Sequence, residues 1–259
     1  MKNLAMFLCM LALALIALYA DAAGVRTPNQ LLQEANDDYS AGRFTEAARV
    51  YRDILGEYGL SAEVLHNLGN SYAAQHRHGQ AILQYLRGLR LEPGDDDLRA
   101  DLVLTREETG LFRPQQNFRD RLFGILDMNQ WLLSALTGYT LLTVLLVCHF
   151  FRPLTQSFFL GVPLLIILMA LSCFGALQQY RMWDGSVVVD GRTRLLLSPF
   201  ASAAPMAVLE EGTVVFSENR HGEYHYVDAG TAGSGWIPAS SLERIRTSRL
   251  KFARDNAAR

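Results

Sequence analysis

Two long apolar segments in the middle of the chain constrain its architecture most. Residues 131–151 and 157–177 each span 21 positions without Asp, Glu, Lys or Arg, and only residues 152–156 separate them. An apolar helix of about 20 residues matches the roughly 30 Å hydrocarbon core of a bilayer. The sequence therefore predicts two transmembrane helices, over 130–151 and 157–178, in a hairpin that leaves both flanking segments on one side of the membrane.

The N-terminal residues 1–22 predict which side this is. Lys2 precedes an apolar run over 4–20, and the small residues around Ala22 resemble the end of a secretory signal peptide. Cleavage after Ala22 and retention as a signal anchor both place the next domain outside the cytoplasm. The alternative is a cytoplasmic protein whose first helix is buried in a core. The Lys and Arg distribution does not decide, since the link contains only Arg152.

The charge distribution argues against nucleic acid as a partner. Segment 26–108 carries nine basic and fourteen acidic residues, whereas segment 244–259 carries six basic and one acidic. The basic tail over 247–259 either touches anionic lipid headgroups of the adjacent membrane or is a disordered solubilising end.

No recognisable catalytic, metal or cofactor motif is present. Cys9, Cys148 and Cys173 each lie in one of the three apolar segments, and there is no Cys-x-x-Cys pair. His221 and His225 are four residues apart, but their strand-and-turn context does not favour a metal site. No nucleophile stands in a recognisable arrangement with a base. We therefore expect a protein that is not an enzyme and has no catalytic residues, metal or cofactor.

An internal repeat lies before the membrane segments. Aligning 35–55 with 69–89 superposes Ala47 on Ala81 and Tyr51 on Tyr85. The period is about 34 residues, which is the period of tetratricopeptide repeats. The pattern resembles that family, in which small residues allow close helix contact, aromatics fill the space between repeats and a proline ends the second helix. The positions that carry the pattern are Gly42, Ala47, Tyr51, Gly69, Tyr72, Ala81, Tyr85 and Pro93.

One position departs from the repeat pattern. Where the first repeat has Gly42 at its turn, the second has His76. We expect His76 to adopt a left-handed conformation there with only modest strain.

A third helical segment is predicted to cover the second repeat. Three aspartates at 95–97 suit a helix N-terminus, and Leu98 and Leu102 form an apolar stripe behind them. We assign 28–109 to a repeat domain with this capping helix and 110–129 to a linker.

The candidate partner-binding residues of the repeat domain lie on the first helix of each repeat. Asn36 and Asn70 occupy equivalent positions in the two repeats, with Tyr39 and His66 nearby. Side-chain amides in the concave groove of such an array hold an extended peptide backbone. The alternative is that these residues are solvated positions on a helical face, and on either interpretation we expect Asn36 and Asn70 to face solvent.

The segment after the membrane helices predicts a small all-β domain over 186–246. Six β-rich runs lie at 187–189, 194–197, 207–209, 213–216, 224–228 and 235–237, separated by turn residues. Their order, and above all the Gly-Trp-Ile-Pro segment at 235–238, is similar to bacterial SH3-like domains. Phe216, Tyr224 and Trp236 are candidate residues of a ligand groove, with core packing as the alternative, and for Phe216 we expect the core.

Taken together, the chain is expected to be a multi-domain membrane protein. It has an all-α tetratricopeptide solenoid, a two-helix transmembrane hairpin and a small all-β SH3-like barrel. In this order it resembles the BatE family of the Bacteroides aerotolerance group, through segments 34–39, 67–72, 85–93 and 235–238.

The resemblance implies a non-enzymatic scaffold of the bacterial inner membrane with periplasmic soluble domains. It also implies partners with von Willebrand factor A-type domains and a MoxR-type ATPase, and peptide or peptidoglycan is a candidate ligand of the SH3-like domain. The alternatives are an accessory activator of a cell-wall hydrolase and an assembly factor for cytochrome maturation. The absence of any cysteine outside the apolar segments counts against cytochrome maturation.

Overall fold

The computed structural model describes residues 27–111, 126, 128–151 and 156–247. This part contains seven α-helices, two of them long and apolar, and one antiparallel sheet. The predicted signal segment over 1–22 and tail residues 248–259 lie outside the described residues, as do link residues 152–155.

Five helices precede the apolar pair. Their bounds are α1 Pro28–Ser40, α2 Phe44–Glu57, α3 Ala62–Ala74, α4 His78–Leu91 and α5 Asp96–Glu108. The first begins at a capping box, in which Thr27 Oγ1 accepts from Gln30 N–H at 3.3 Å and Thr27 N–H donates to Gln30 Oε1 at 2.9 Å. These reciprocal bonds satisfy donors that a helix start otherwise leaves unpaired.

The sequence repeat recurs in the backbone of these helices. Helices α1 and α2 pack as one hairpin and α3 and α4 as the next. The turns between them place Gly42 at φ 75° and His76 at φ 56°, so the predicted left-handed conformation of His76 is confirmed. Ala47 and Ala81 are fully buried at equivalent positions.

Helix α5 covers the second hairpin as predicted. Asp95 Oδ1 accepts from Leu98 N–H at 3.0 Å at the start of the helix. The buried residues Leu98 and Leu102 face α4, and Gly88 gives Leu98 the room to approach. The apolar stripe thereby closes the open side of the helical domain.

Helices α6, Met128–Phe151, and α7, Gln156–Met182, form an antiparallel pair, and each contains a segment long and apolar enough to cross a membrane. Glycines allow the two helices to pack closely. Gly175 accommodates the ring of Trp131, and Gly138 lies against Met169. Between them Ser134 Oγ lies 2.8 Å from Ser172 Oγ. Most of their other large apolar side chains are exposed, and only about 11% of each candidate span is buried.

The seven strands after α7 form one antiparallel sheet in the order β3-β2-β6-β5-β4-β1-β7. Their bounds are β1 Ser186–Val188, β2 Thr193–Leu196, β3 Pro205–Leu209, β4 Val214–His221, β5 Tyr224–Asp228, β6 Ser234–Pro238 and β7 Leu242–Arg244. All six predicted strands are present, and β7 was missed. It follows a short 3₁₀ turn and its three residues lack an apolar alternation.

The expectation that Phe216 lies in the core is wrong. Val215 is fully buried, and since successive side chains of a strand point to opposite faces, Phe216 lies on the outer face with 44% of its surface exposed.

The helical domain and the sheet share one hydrophobic core. Val187, Val189 and Ile245 of the sheet domain belong to the same buried cluster as the residues of α2 to α5. Ile82 of α4 packs against Gly212 in the β3–β4 turn. Helix α4 is consequently buried on nearly every side, between α3, α5 and the sheet.

Candidate functional site

The polar residues on α1 and α3 are built into repeat-equivalent hydrogen bonds. Tyr51 Oη donates to Asn36 Oδ1 at 2.6 Å, and Tyr85 Oη donates to Asn70 Oδ1 at 2.7 Å. Asn67 Nδ2 adds a longer bond of 3.4 Å to Asn36 Oδ1. Each tyrosine is almost fully buried on the second helix of its repeat, so the bond ties the two helices of one hairpin together.

Burial keeps both phenols protonated. It raises the pKa of Tyr51 to about 12, with smaller contributions from Tyr39 and Glu63. Burial also raises the pKa of Tyr85, reinforced by the negative charge of Asp101. Both hydroxyls are therefore donors at neutral pH, and the amide oxygens of the two asparagines are the acceptors.

Asn36 and Asn70 are half-buried, which corrects the expectation that they simply face solvent. Their Oδ1 atoms accept the hydrogen bonds from Tyr51 and Tyr85. Their Nδ2 groups have no acceptor among the described residues, so each amide retains N–H donors for an external carbonyl.

The recorded contacts of Tyr39 and His66 are with residues other than Asn36 and Asn70. Tyr39 packs edge-on against Phe44, with ring centroids 5.3 Å apart. His66 Nε2 lies 2.6 Å from Asp101 Oδ2 of α5, and its ring is 5.9 Å from that of Tyr85. The pair His66–Asp101 thus links the third helix to the capping helix.

Tyr224 and Trp236 belong to an aromatic face on the sheet. Trp236 pairs across the strands with Tyr226, at a ring separation of 5.2 Å, and lies 6.3 Å from His221. Tyr224 is two residues from Tyr226 on the same strand and so shares its face. We define the aromatic face as His221, Tyr224, Tyr226 and Trp236; its aromatic rings are half-buried or exposed. Tyr226 was missed, although its spacing from Tyr224 was the available signal.

His221 and His225 make different contacts. His221 lies beside Trp236, whereas His225 Nδ1 lies 2.9 Å from Ser217 Oγ. In the part of the chain that the structure describes, no group of three His, Cys, Asp or Glu side chains could hold a metal ion.

Polar contacts between α4 and the sheet domain were not predicted from the sequence. At the N-terminal end of α4, Gly79 N–H donates to Glu211 Oε2 at 3.1 Å. Toward the C-terminal end of α4, Arg87 Nη2 donates to the carbonyl of Arg244 at 2.8 Å and lies 3.4 Å from Glu243 Oε2. No local signal indicated this junction, because the buried side of α4 that carries Arg87 also carries Gln80 and Gln84, which a sequence pattern assigns to solvent.

A scan against protein-family models, a search of curated proteins and a search of solved structures each found no match to this chain.

Proposed function

We propose that this protein is a non-enzymatic, membrane-anchored scaffold of the bacterial envelope. In this proposal the helices α1 to α5 act as a tetratricopeptide-type domain, α6 and α7 cross the inner membrane, and the sheet acts as an SH3-like domain. The observation that carries it is the recurrence of the tyrosine–asparagine bond at equivalent positions of the two repeats, in a chain with two candidate membrane helices.

Contact between the two soluble domains supports the hairpin topology. Helix α4 and the sheet bury Val187 and Ile82 in shared packing, which requires both domains to lie on one side of the bilayer. The signal-like segment at residues 1–22 favours the periplasmic side.

The proposed partner site of the helical domain is the pair of amides at Asn36 and Asn70. Each offers N–H donors while its oxygen is held by a buried tyrosine, which fixes the rotamer of the amide before a partner arrives. Equivalent donors on successive repeats suit the carbonyls of an extended peptide.

The aromatic face supplies a second candidate surface, for peptide or peptidoglycan. Rings that are half-buried on a rigid sheet provide apolar contact area at little cost in side-chain entropy. Because the two domains are joined through α4, both surfaces are held in one body, and binding at one raises the effective concentration at the other.

The resemblance to the BatE family supplies the proposed partners, membrane proteins with von Willebrand factor A-type domains and a MoxR-type ATPase. The test is purification of the tagged full-length protein from native membranes, followed by identification of proteins of these two classes. The informative variant is Asn36→Asp with Asn70→Asp, because aspartate retains an oxygen for each tyrosine and loses the N–H donors.

The matched control is Asn219→Asp on the exposed part of β4. We expect the parent and the control to recover both partner classes and the double variant to lose at least about 90% of them, as two hydrogen bonds are worth roughly ten- to hundredfold in affinity. Equal recovery by all three would disprove the amide site. Absence of both classes from the parent preparation would disprove the proposed partners.

A further inference from the structure

A cavity of about 350 Å³ lies where the last strand meets helix α4. Its wall includes Arg87 from α4, Arg220 and His225 from β4 and β5, and Arg244 from β7. Arg87 is the one lining residue from the helical domain, so the cavity lies in the sheet domain at the point where α4 docks on it.

The cavity wall is positively charged. It contains three arginines and one carboxylate, that of Glu243, which already lies 3.4 Å from Arg87 Nη2. Arg220 donates through Nε to the carbonyl of Gly222 at 3.0 Å. Among the described residues no carboxylate lies within ion-pair distance of Arg220 or Arg244. Two guanidinium groups therefore remain for a ligand.

Arg87 makes one side of the wall rigid. Only 6% of its surface is exposed, and its guanidinium is held by the carbonyl of Arg244 at 2.8 Å and by Gln84 Oε1 at 3.2 Å. This bond also fixes the main chain of Arg244, and with it the position of the Arg244 Cα at the edge of the cavity.

The remaining polar groups suit an anion. Ser217 Oγ lies 2.9 Å from His225 Nδ1, and Ser186 contributes another hydroxyl to the wall. Burial and then the positive charges of Arg220 and Arg244 lower the pKa of His225, so the ring is neutral at pH 7. The smaller part of this shift comes from the two arginines, which lie close enough to His225 to disfavour its charged form.

The cavity lies close to the end of the second candidate membrane helix. The candidate span ends at Gln178, and Tyr180 follows two residues later. The Arg246 guanidinium lies 4.9 Å from the centre of the Tyr180 ring. Thr247, the residue after Arg246, lines the cavity. Four helical residues and four extended ones connect Gln178 to Ser186, a reach of at most about 20 Å from the hydrocarbon boundary. Lipid headgroups occupy the first part of that distance.

We propose that this cavity binds a phosphate group, and that its source is the headgroup of an anionic phospholipid. Planar guanidinium groups pair with phosphate oxygens two at a time, and the Ser186 hydroxyl in the wall is a further donor. A bound headgroup would hold the junction between the two domains against the membrane surface.

The test uses the detergent-solubilised full-length protein and three probes: short-chain phosphatidylglycerol, short-chain phosphatidylcholine and inorganic phosphate. Binding is followed by thermal unfolding and by native mass spectrometry. We expect saturable binding of phosphatidylglycerol, at least about tenfold weaker binding of phosphatidylcholine, and a rise in Tm with phosphatidylglycerol.

The variant is Arg220→Gln with Arg244→Gln, and the control is Arg194→Gln, an exposed arginine on β2 outside the cavity. Both target side chains are exposed, so the fold should persist, which circular dichroism checks. The variant should bind phosphatidylglycerol about ten- to hundredfold more weakly and the control as the parent does.

Inorganic phosphate that binds as tightly as the lipid, and is weakened by the same variant, would support the phosphate site and assign it to a soluble phosphate. Equal binding of phosphatidylglycerol by the parent and the double variant would overturn the proposal, as would equal binding of the anionic and zwitterionic lipids.

Discussion

Tyr85 Oη donates a hydrogen bond to Asn70 Oδ1 at 2.7 Å, fifteen residues earlier in the chain. Tyr51 and Asn36 form the same bond in the preceding repeat, at 2.6 Å. The same two side chains thus fasten the first helix of each hairpin to the second. Repetition of a buried polar bond specifies the helix register more narrowly than apolar packing does, since a shifted register would leave a buried hydroxyl unpaired.

Removal of either hydroxyl should destabilise the protein by a similar amount. Tyr51→Phe and Tyr85→Phe each delete one hydrogen bond, and we expect each to lower the free energy of unfolding by about 0.5–1.5 kcal/mol. Thermal unfolding of the full-length protein measures this. Tyr72→Phe is the control, because that ring is buried on α3 and its hydroxyl makes no hydrogen bond to another described residue. A control effect as large as the other two would show that the Asn–Tyr bonds contribute nothing specific.

The same tyrosines should make the fold sensitive to alkali. The pKa of Tyr51 is raised from 10.0 to about 12, so between these values the unfolded chain releases a proton that the folded protein retains. The stability from this group is complete below pH 10 and is lost as the pH rises toward 12. We expect Tm to fall over this range, and to fall less steeply in Tyr51→Phe. Parallel curves for parent and variant would contradict this account.

Gly69 should not tolerate a methyl group. A Cβ at this position would lie 2.7 Å from Tyr85 Cδ1, and the tyrosine ring is buried and held by its hydrogen bond. We expect Gly69→Ala to destabilise the protein by about 1–3 kcal/mol through overpacking, despite the better helix propensity of alanine. Gly94→Ala is the control, because no atom lies within 4 Å of its Cβ position. A Tm for Gly69→Ala at or above that of the parent would contradict the close packing.

The helical repeat was predictable from the sequence because its determinants are local and periodic. Ala47 and Ala81, the turn at His76 and the cap at Asp95 each follow from a few neighbouring residues. The sheet strands were visible for the same reason, although alternation alone did not tell which face Phe216 takes.

The docking of the domains was not predictable, because it buries polar side chains that local rules assign to solvent. On α4, Gln80 is 8% exposed, Gln84 4% and Arg87 6%. Only the fold shows that they are buried and that Arg87 contacts the sheet through Arg244. The cavity beside Arg87 was missed for the same reason, since its wall combines α4 with strands of the sheet.

The junction should be disrupted by a side chain at Gly79. A Cβ there would lie 2.8 Å from the carbonyl oxygen of Val188, which is main chain and cannot move aside, so Gly79→Val should separate α4 from the sheet. Hydrogen exchange of the full-length protein is the measurement. We expect amide protection of β1 and β7 to fall at least about tenfold while α1 and α2 remain unchanged.

The control for the junction is Gly191→Val in the β1–β2 turn, where no atom lies within 4 Å of the Cβ position. It should leave the exchange of β7 as in the parent. Unchanged protection in Gly79→Val would mean that the docking of α4 on the sheet does not depend on this contact. Loss of protection confined to β1, β7 and α4 would instead show that the contact at Gly79 holds these three elements together.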